Sequence, residues 1–122
     1  MALTIKVLEN KPRVFVVTLA GSLDSTTYPQ LESKLAYLLA EGAAKVVTLD
    51  VAELEFISSM GIRVVFKAQK DLARAGGYLC LARLPAPIQK AFEIVEPLPS
   101  MQRFARIQAL DAYLAKMHGL SA

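Results

Sequence analysis

Leu49-Asp-Val-Ala-Glu-Leu-Glu-Phe-Ile-Ser-Ser-Met-Gly-Ile-Arg-Val-Val65 decides how this chain is read. It continues an apolar, β-branched run that opens at Lys45-Val-Val-Thr-Leu-Asp50, which reads as a buried strand ending at Asp50. A short connection carrying Phe56 and Ile57 then delivers Ser58 and Ser59 to a helix start. Ile62, Val65, Phe66 and Leu72 repeat at helical spacing, and Gly76-Gly77 closes the helix. A serine at such a start accepts a hydrogen bond from an otherwise orphan backbone N–H, and capping is one of two readings of Ser58. The same geometry also accepts added negative charge, because a phosphate there meets N–H donors and the positive end of the helix dipole. Gly61, in the first turn, costs helix propensity but lets another group approach the backbone closely.

Working outward, residues 2–8 and 13–20 read as strands joined by the polar turn Glu9-Asn10-Lys11-Pro12. Gly21-Ser-Leu-Asp-Ser-Thr-Thr27 breaks the strand pattern with turn and cap residues. Pro29 suits the first turn of a following helix, in which Leu31, Leu35, Leu38 and Leu39 form one apolar stripe and Gly42 ends it. Beyond the central segment, Tyr78 to Ala82 is a strand. Pro85 to Val95 is a helix with Ile88, Ala91, Phe92 and Val95 on one face, stopped by Glu96-Pro-Leu-Pro99. Phe104 to Ile107 reads as a last short strand and Leu110 to Met117 as a closing helix. Strands alternating with helices after an opening hairpin require parallel pairing and right-handed crossovers. The expected fold is α/β: a mixed sheet of four to five strands with helices mainly on one face, in a single domain over 1–122.

Composition agrees and removes several function classes. The chain has 122 residues, 54% of them hydrophobic and 20% charged, enough for one dense core and against disorder. Its one cysteine, Cys80, cannot form an intrachain disulfide and sits in an apolar run, as a small buried hydrophobe does. The N-terminus alternates polar and apolar residues, unlike a signal peptide, and no apolar run approaches the roughly 20 residues of a membrane span. A cytoplasmic protein without membrane insertion is expected. One histidine, His118, and one cysteine make no metal site, and neither a Walker loop nor a Gly-x-Gly-x-x-Gly is present, so no cofactor is expected. Phe56-Ile-Ser-Ser-Met-Gly61 lacks the first glycine of a nucleophile elbow, and no histidine is placed to serve the serines. A small serine hydrolase is therefore remote, and catalysis is not expected.

The net charge of +3 is too small to imply nucleic acid, but its distribution is uneven. Arg63, Lys67, Lys70 and Arg74 fall at i, i+4, i+7 and i+11 of the helix that the serines open, with Asp71 its single acid. Such a stripe is either a solvated face or a docking surface for an acidic partner. No aromatic interleaves with it to stack on bases, so direct nucleic-acid binding is the weaker option.

The segment Phe56-Ile-Ser-Ser-Met-Gly-Ile62 resembles the signature of the STAS domain of anti-sigma factor antagonists. There, a strand ending in Asp leads through an apolar pair to Asp-Ser-Ser-Gly or Ser-Ser-Ala-Gly and an amphipathic helix. Gly21-Ser-Leu-Asp24 resembles that family's Gly-x-Leu-Asp after the second strand, and the two matches stand in the family's order and spacing. The resemblance implies that Ser59 is a phosphoacceptor. It implies a partner surface holding Asp24, Ser25, Ser58, Met60 and Gly61, to which the stripe would add Arg63, Lys67 and Lys70. The implied partners are an anti-sigma factor with serine kinase activity, bound and held while Ser59 is unphosphorylated, and a serine phosphatase that restores that state. Ser58 departs from the acidic neighbour of the best-known members, and Met60 is larger than their Ser or Ala. The alternative within the family is a non-phosphorylated STAS subunit bracing an ABC-type lipid-transport complex. An anion-transporter tail is disfavoured, because no membrane domain accompanies this chain.

Overall fold

The computed structural model describes residues 2–95 and 102–104. In chain order the elements are β1 (Leu3–Lys11), β2 (Val14–Leu23), α1 (Tyr28–Ala40), β3 (Val46–Ile57), α2 (Ser59–Arg74), β4 (Tyr78–Ala82), α3 (Ala86–Val95) and β5 (Gln102–Phe104). They form one sheet in the order β1-β2-β3-β4-β5. The opening hairpin is antiparallel, and every later pair is parallel. The expected mixed sheet is borne out, as are the three helices read from apolar periodicity.

Alternation along the strands sorts the residues by face. Phe15, Val17 and Leu19 of β2, Val47, Leu49 and Val51 of β3, and Leu79 and Leu81 of β4 join one buried cluster. The cluster takes Leu31, Leu35 and Leu38 from α1, Ile62, Val65, Ala68 and Leu72 from α2, and Ile88 and Phe92 from α3. The three helices thus share one face of the sheet. Phe66 of α2 meets Phe92 edge-on with ring centroids 6.0 Å apart, which joins α2 to α3. Positions of opposite parity, Val46, Thr48 and Asp50 of β3 and Cys80 and Ala82 of β4, are buried too.

Several strand ends differ from expectation: β1 runs on to Lys11 through most of the expected turn, and two further differences matter for the site. The third strand does not stop at Asp50; it runs on to Ile57. The second likewise passes through Gly21 and Ser22 to Leu23. Each extension supplies the other's ladder, with Ser22 opposite Phe56 and Leu23 opposite Ile57 after register shifts at Thr18/Ala20 and Gly21/Ser22. Gly21 makes the bend possible. Its φ is +98°, and a Cβ there would lie 2.2 Å from the Ala2 carbonyl oxygen. The last strand begins two residues before the expected Phe104. The closing helix expected over Leu110 to Met117, and His118, lie outside the described residues.

Candidate functional site

Ser58 occupies the N-cap of α2 with extended backbone (φ −90°, ψ 171°), and its Oγ accepts a hydrogen bond from the Gly61 N–H at 3.2 Å. Its carbonyl begins the helix ladder by accepting from Ile62 N–H at 3.0 Å. Capping therefore occupies the Ser58 hydroxyl and leaves Ser59, the first residue of α2, exposed. Met60 is half-buried.

The strand extensions bring the β2–α1 turn to this helix start. The Ser58 N–H donates to the Leu23 carbonyl at 2.8 Å, so Asp24 and Ser25 follow directly from a residue bonded to the cap of α2. Asp24 does not cap α1; Thr27 holds the N-cap position, without a side-chain cap bond. The Asp24 carboxylate folds back on its own turn instead, Oδ1 accepting from Thr26 N–H (2.9 Å), Thr26 hydroxyl (2.7 Å) and Thr27 N–H (3.1 Å). These bonds, the Thr26 hydroxyl first, hold its carboxyl below the usual carboxylate range. Oδ2 accepts no hydrogen bond among the described residues, and Asp24 remains partly exposed. The residue that fixes the turn is Thr27, which the sequence presents only as one cap or turn residue among several. It is 4% exposed, accepts from the Asp24 N–H at 2.9 Å and donates to the Ser22 carbonyl at 2.8 Å.

Gly61 was expected to face a partner. It is buried instead, because the side where a Cβ would stand is filled by Leu23, with Cγ at 2.7 Å and the carbonyl oxygen at 3.0 Å. Close approach is indeed what the glycine permits, but the approaching group is the chain's own β2.

Arg63, Lys67, Lys70 and Arg74 are all exposed along α2. Arg74 pairs with Asp71 at 3.5 Å. Lys67 borders a shallow groove between α1 and α2 with Glu32, Leu35, Leu39 and Asp71, so acids flank it on both helices. Beside the serines, Phe56 is 49% exposed, a large apolar side chain that the sequence presents only as half of an apolar pair. Asp50, which the signature places at a strand end, lies inside β3 and is 4% exposed. It grips Arg83 with two oxygens, Nε to Oδ1 at 3.1 Å and Nη2 to Oδ2 at 2.5 Å, tying β3 to the residue after β4.

Among the described residues no group of three His, Cys, Asp or Glu could hold a metal ion, and no helix is long and apolar enough to cross a membrane. Burial pushes the Cys80 thiol up to about 12, so it is not a nucleophile near neutral pH.

The STAS domain family matches residues 6–109. BtrV of Bordetella bronchiseptica, named as an anti-sigma factor antagonist, is 37% identical over 81 residues, covering 66% of this chain and 69% of that one. The anti-sigma F factor antagonist of Lysinibacillus sphaericus is 23% identical over 104 residues, 85% of this chain and 89% of that one. The phosphorylated form of the Bacillus cell fate determinant SpoIIAA superposes with a TM-score of 0.73 at 21% identity, over 90% of this chain and 99% of that chain. With the sheet order, the helix-borne serines and the adjoining aspartate turn in place, this chain belongs to the STAS domain family.

Proposed function

We propose that the protein is an anti-sigma factor antagonist: a binding module that engages a kinase-type anti-sigma factor while Ser59 is unphosphorylated, and is itself not an enzyme. The observation that carries this reading is the division of labour between the two serines. Ser58 spends its hydroxyl on the Gly61 N–H, whereas Ser59 is exposed at the first position of α2, one peptide bond from the cap that is bonded to the Asp24 turn. The names of the two relatives support the partner class.

The surface around Ser59 suits the task. Phe56 offers an apolar anchor, Met60 is next to the acceptor in α2, and Asp24 and Ser25 follow Leu23, whose carbonyl is bonded to the cap of that helix. Arg63, Lys67 and Lys70 extend the face with positive charge that steers an acidic partner. In phosphorylation, Ser59 Oγ bonds to the γ-phosphorus of ATP as the bond to the bridging oxygen breaks. ADP leaves, and the hydroxyl proton passes to a base of the kinase. The product carries about −1.5 to −2 additional charges, which a closely packed interface accommodates only at heavy desolvation cost. Hydrolysis by a serine phosphatase returns the hydroxyl.

The test is to incubate the protein with its cognate anti-sigma kinase and ATP, map the modified peptide by mass spectrometry and compare Ser59→Ala. Incorporation at Ser59, its loss in the variant and weakened binding of the modified form are expected. Modification at Ser58, or none by an active kinase, overturns the assignment.

A further inference from the structure

We propose that Arg63 is the internal counterion of a phosphate on Ser59, so that modification both adds charge and withdraws the first cation of the basic stripe from docking. The inference rests on the reading of Ser59 as phosphoacceptor and concerns what the phosphate does once attached.

Ser59 and Arg63 stand at i and i+4 of α2, stacked on one helix face with Cβ atoms roughly 5–6 Å apart. Both are exposed, and Arg63 forms no ion pair or hydrogen bond among the described residues. The acid-then-base order along the helix is the favourable one for an i,i+4 pair. A guanidinium fork also matches the geometry of phosphate oxygens better than an ammonium does. Of the first-turn backbone donors, Gly61 N–H is engaged by Ser58 Oγ and Ile62 N–H by the Ser58 carbonyl, which leaves the N–H groups of Ser59 and Met60 as neutral donors beside the one nearby cation. Lys67 is two turns from Ser59, about 12 Å along the axis, beyond the screening length of about 8 Å at physiological salt. The charged group on the adjoining turn is Asp24, which repels a phosphate and makes a local cation more necessary. Arg63 is the cation within reach.

Arg63 would then serve two exclusive pairings. In the unmodified protein it is free to meet an acidic partner; in the modified protein it is held by the phosphate. The stripe loses its end nearest the acceptor at the same moment the acceptor becomes an anion.

The test uses protein carrying phosphoserine at position 59 introduced during translation, so no kinase is required. Phosphorus NMR titration gives the second pKa of the phosphate, ordinarily near 6. Arg63 favours the dianion, so the wild-type phosphate should titrate about 0.3 unit below that of Arg63→Gln in moderate salt, the size of one exposed i,i+4 ion pair. Arg63→Lys should recover part of the shift, Lys70→Gln should match wild type, and 1 M salt should erase the difference. Equal pKa values in wild type and Arg63→Gln overturn the inference, as does an equal shift from Lys70→Gln. Neither outcome touches the kinase mapping, and a mapping failure leaves this titration standing, so the two readings fail separately.

Discussion

Replacing Gly61 with alanine probes how the helix that carries Ser59 is seated. The added Cβ would lie 2.7 Å from Leu23 Cγ and 3.0 Å from both Leu23 Cδ2 and the Leu23 carbonyl oxygen. Carbon atoms pack at about 3.5–4.0 Å, so the overlap with Cγ approaches 1 Å. Leu23 cannot swing away: its side chain is 0% exposed, and its carbonyl holds the Ser58 N–H at 2.8 Å. Overpacking of this kind costs about 1–3 kcal/mol. Alanine returns up to about 1 kcal/mol of helix propensity, less in a first turn. The net expectation is a loss of about 1–2 kcal/mol, read as a lower urea midpoint at unchanged m-value. Leu23→Ala opens the space, at a cavity cost of about 2–5 kcal/mol of its own. Gly61→Ala should therefore cost clearly less in that background, where only the 3.0 Å contact with the carbonyl oxygen remains, a coupling of about 1 kcal/mol. A Gly61→Ala protein as stable as wild type, or one equally destabilised with and without Leu23→Ala, refutes the argument.

Asp24→Asn keeps the Oδ1 acceptor for Thr26 and Thr27 but removes the charge, so partner affinity should fall several-fold with little change in melting temperature; a large loss of stability with unchanged affinity would make Asp24 purely structural. Because its carboxyl is held below 3.8 by the Thr26 bonds, the stability it contributes is complete above that pH and is lost as pH falls through the lower folded value, which urea titrations of wild type and Asp24→Asn between pH 5 and 2 would show. Lys67→Glu with Lys70→Glu should slow association and weaken its salt dependence while changing dissociation less; an unchanged on-rate at low salt in stopped-flow would make the stripe a solvated face. Phe56→Ala should weaken partner binding at least tenfold and leave the fold near wild-type stability, since half of the ring is already in water; equal affinity by calorimetry removes it as an anchor. Cys80, its thiol pushed up to about 12, should resist alkylation in the native state, and stability should fall above pH 9, the unfolded value, by up to about 1.4 kcal/mol per pH unit; rapid native labelling would contradict its burial.

Sequence reading found what short-range pattern encodes. Leu31, Leu35 and Leu38, then Ile62, Val65 and Leu72, mark helices by spacing alone, and both helices are where that spacing puts them. It failed where two polar stretches rescue each other. Gly21-Ser-Leu23 looks like the start of a turn, and Ala52-Glu-Leu-Glu looks like a connection, yet paired side by side they are strand, with Leu54 and Ile57 buried while Glu53, Glu55 and Phe56 are exposed. Glu53-Leu-Glu-Phe56 alternates in the sequence, but a partner far along the chain decides whether it becomes a ladder, and the register shift there leaves Leu54 and Ile57, three apart, as the buried positions. The Asp50–Arg83 fork and the contact of Leu23 with Gly61 are long-range in the same sense. In the site, the serine cap that opens α2 was legible from local chemistry, whereas Ser59 and Asp24 were singled out by the family resemblance. Thr27 was read only as one turn residue among several, although Asp24-x-x-Thr27 is the spacing of a self-bonded turn.

Extension of β2 and β3 beyond their apolar stretches also explains how the site can vary without losing its frame. Asp24 and Ser59 are positioned by one backbone bond, Ser58 N–H to Leu23 carbonyl, and by the packing of Gly61 on Leu23. Neither exposed side chain contributes to that bond. Ser25, Ser59, Met60 and Arg63 can therefore change to suit a particular partner while the helix start stays where the ladder puts it. Leu23, Thr27 and Gly61 have no such freedom, since each is buried and in contact with the turn or the cap. Substitutions that alter recognition should consequently separate from those that alter stability along this line. The acidic neighbour missing at Ser58 falls on the side of the frame, because Ser58 Oγ spends its acceptor on the Gly61 N–H, a bond that an aspartate at the same cap would also make.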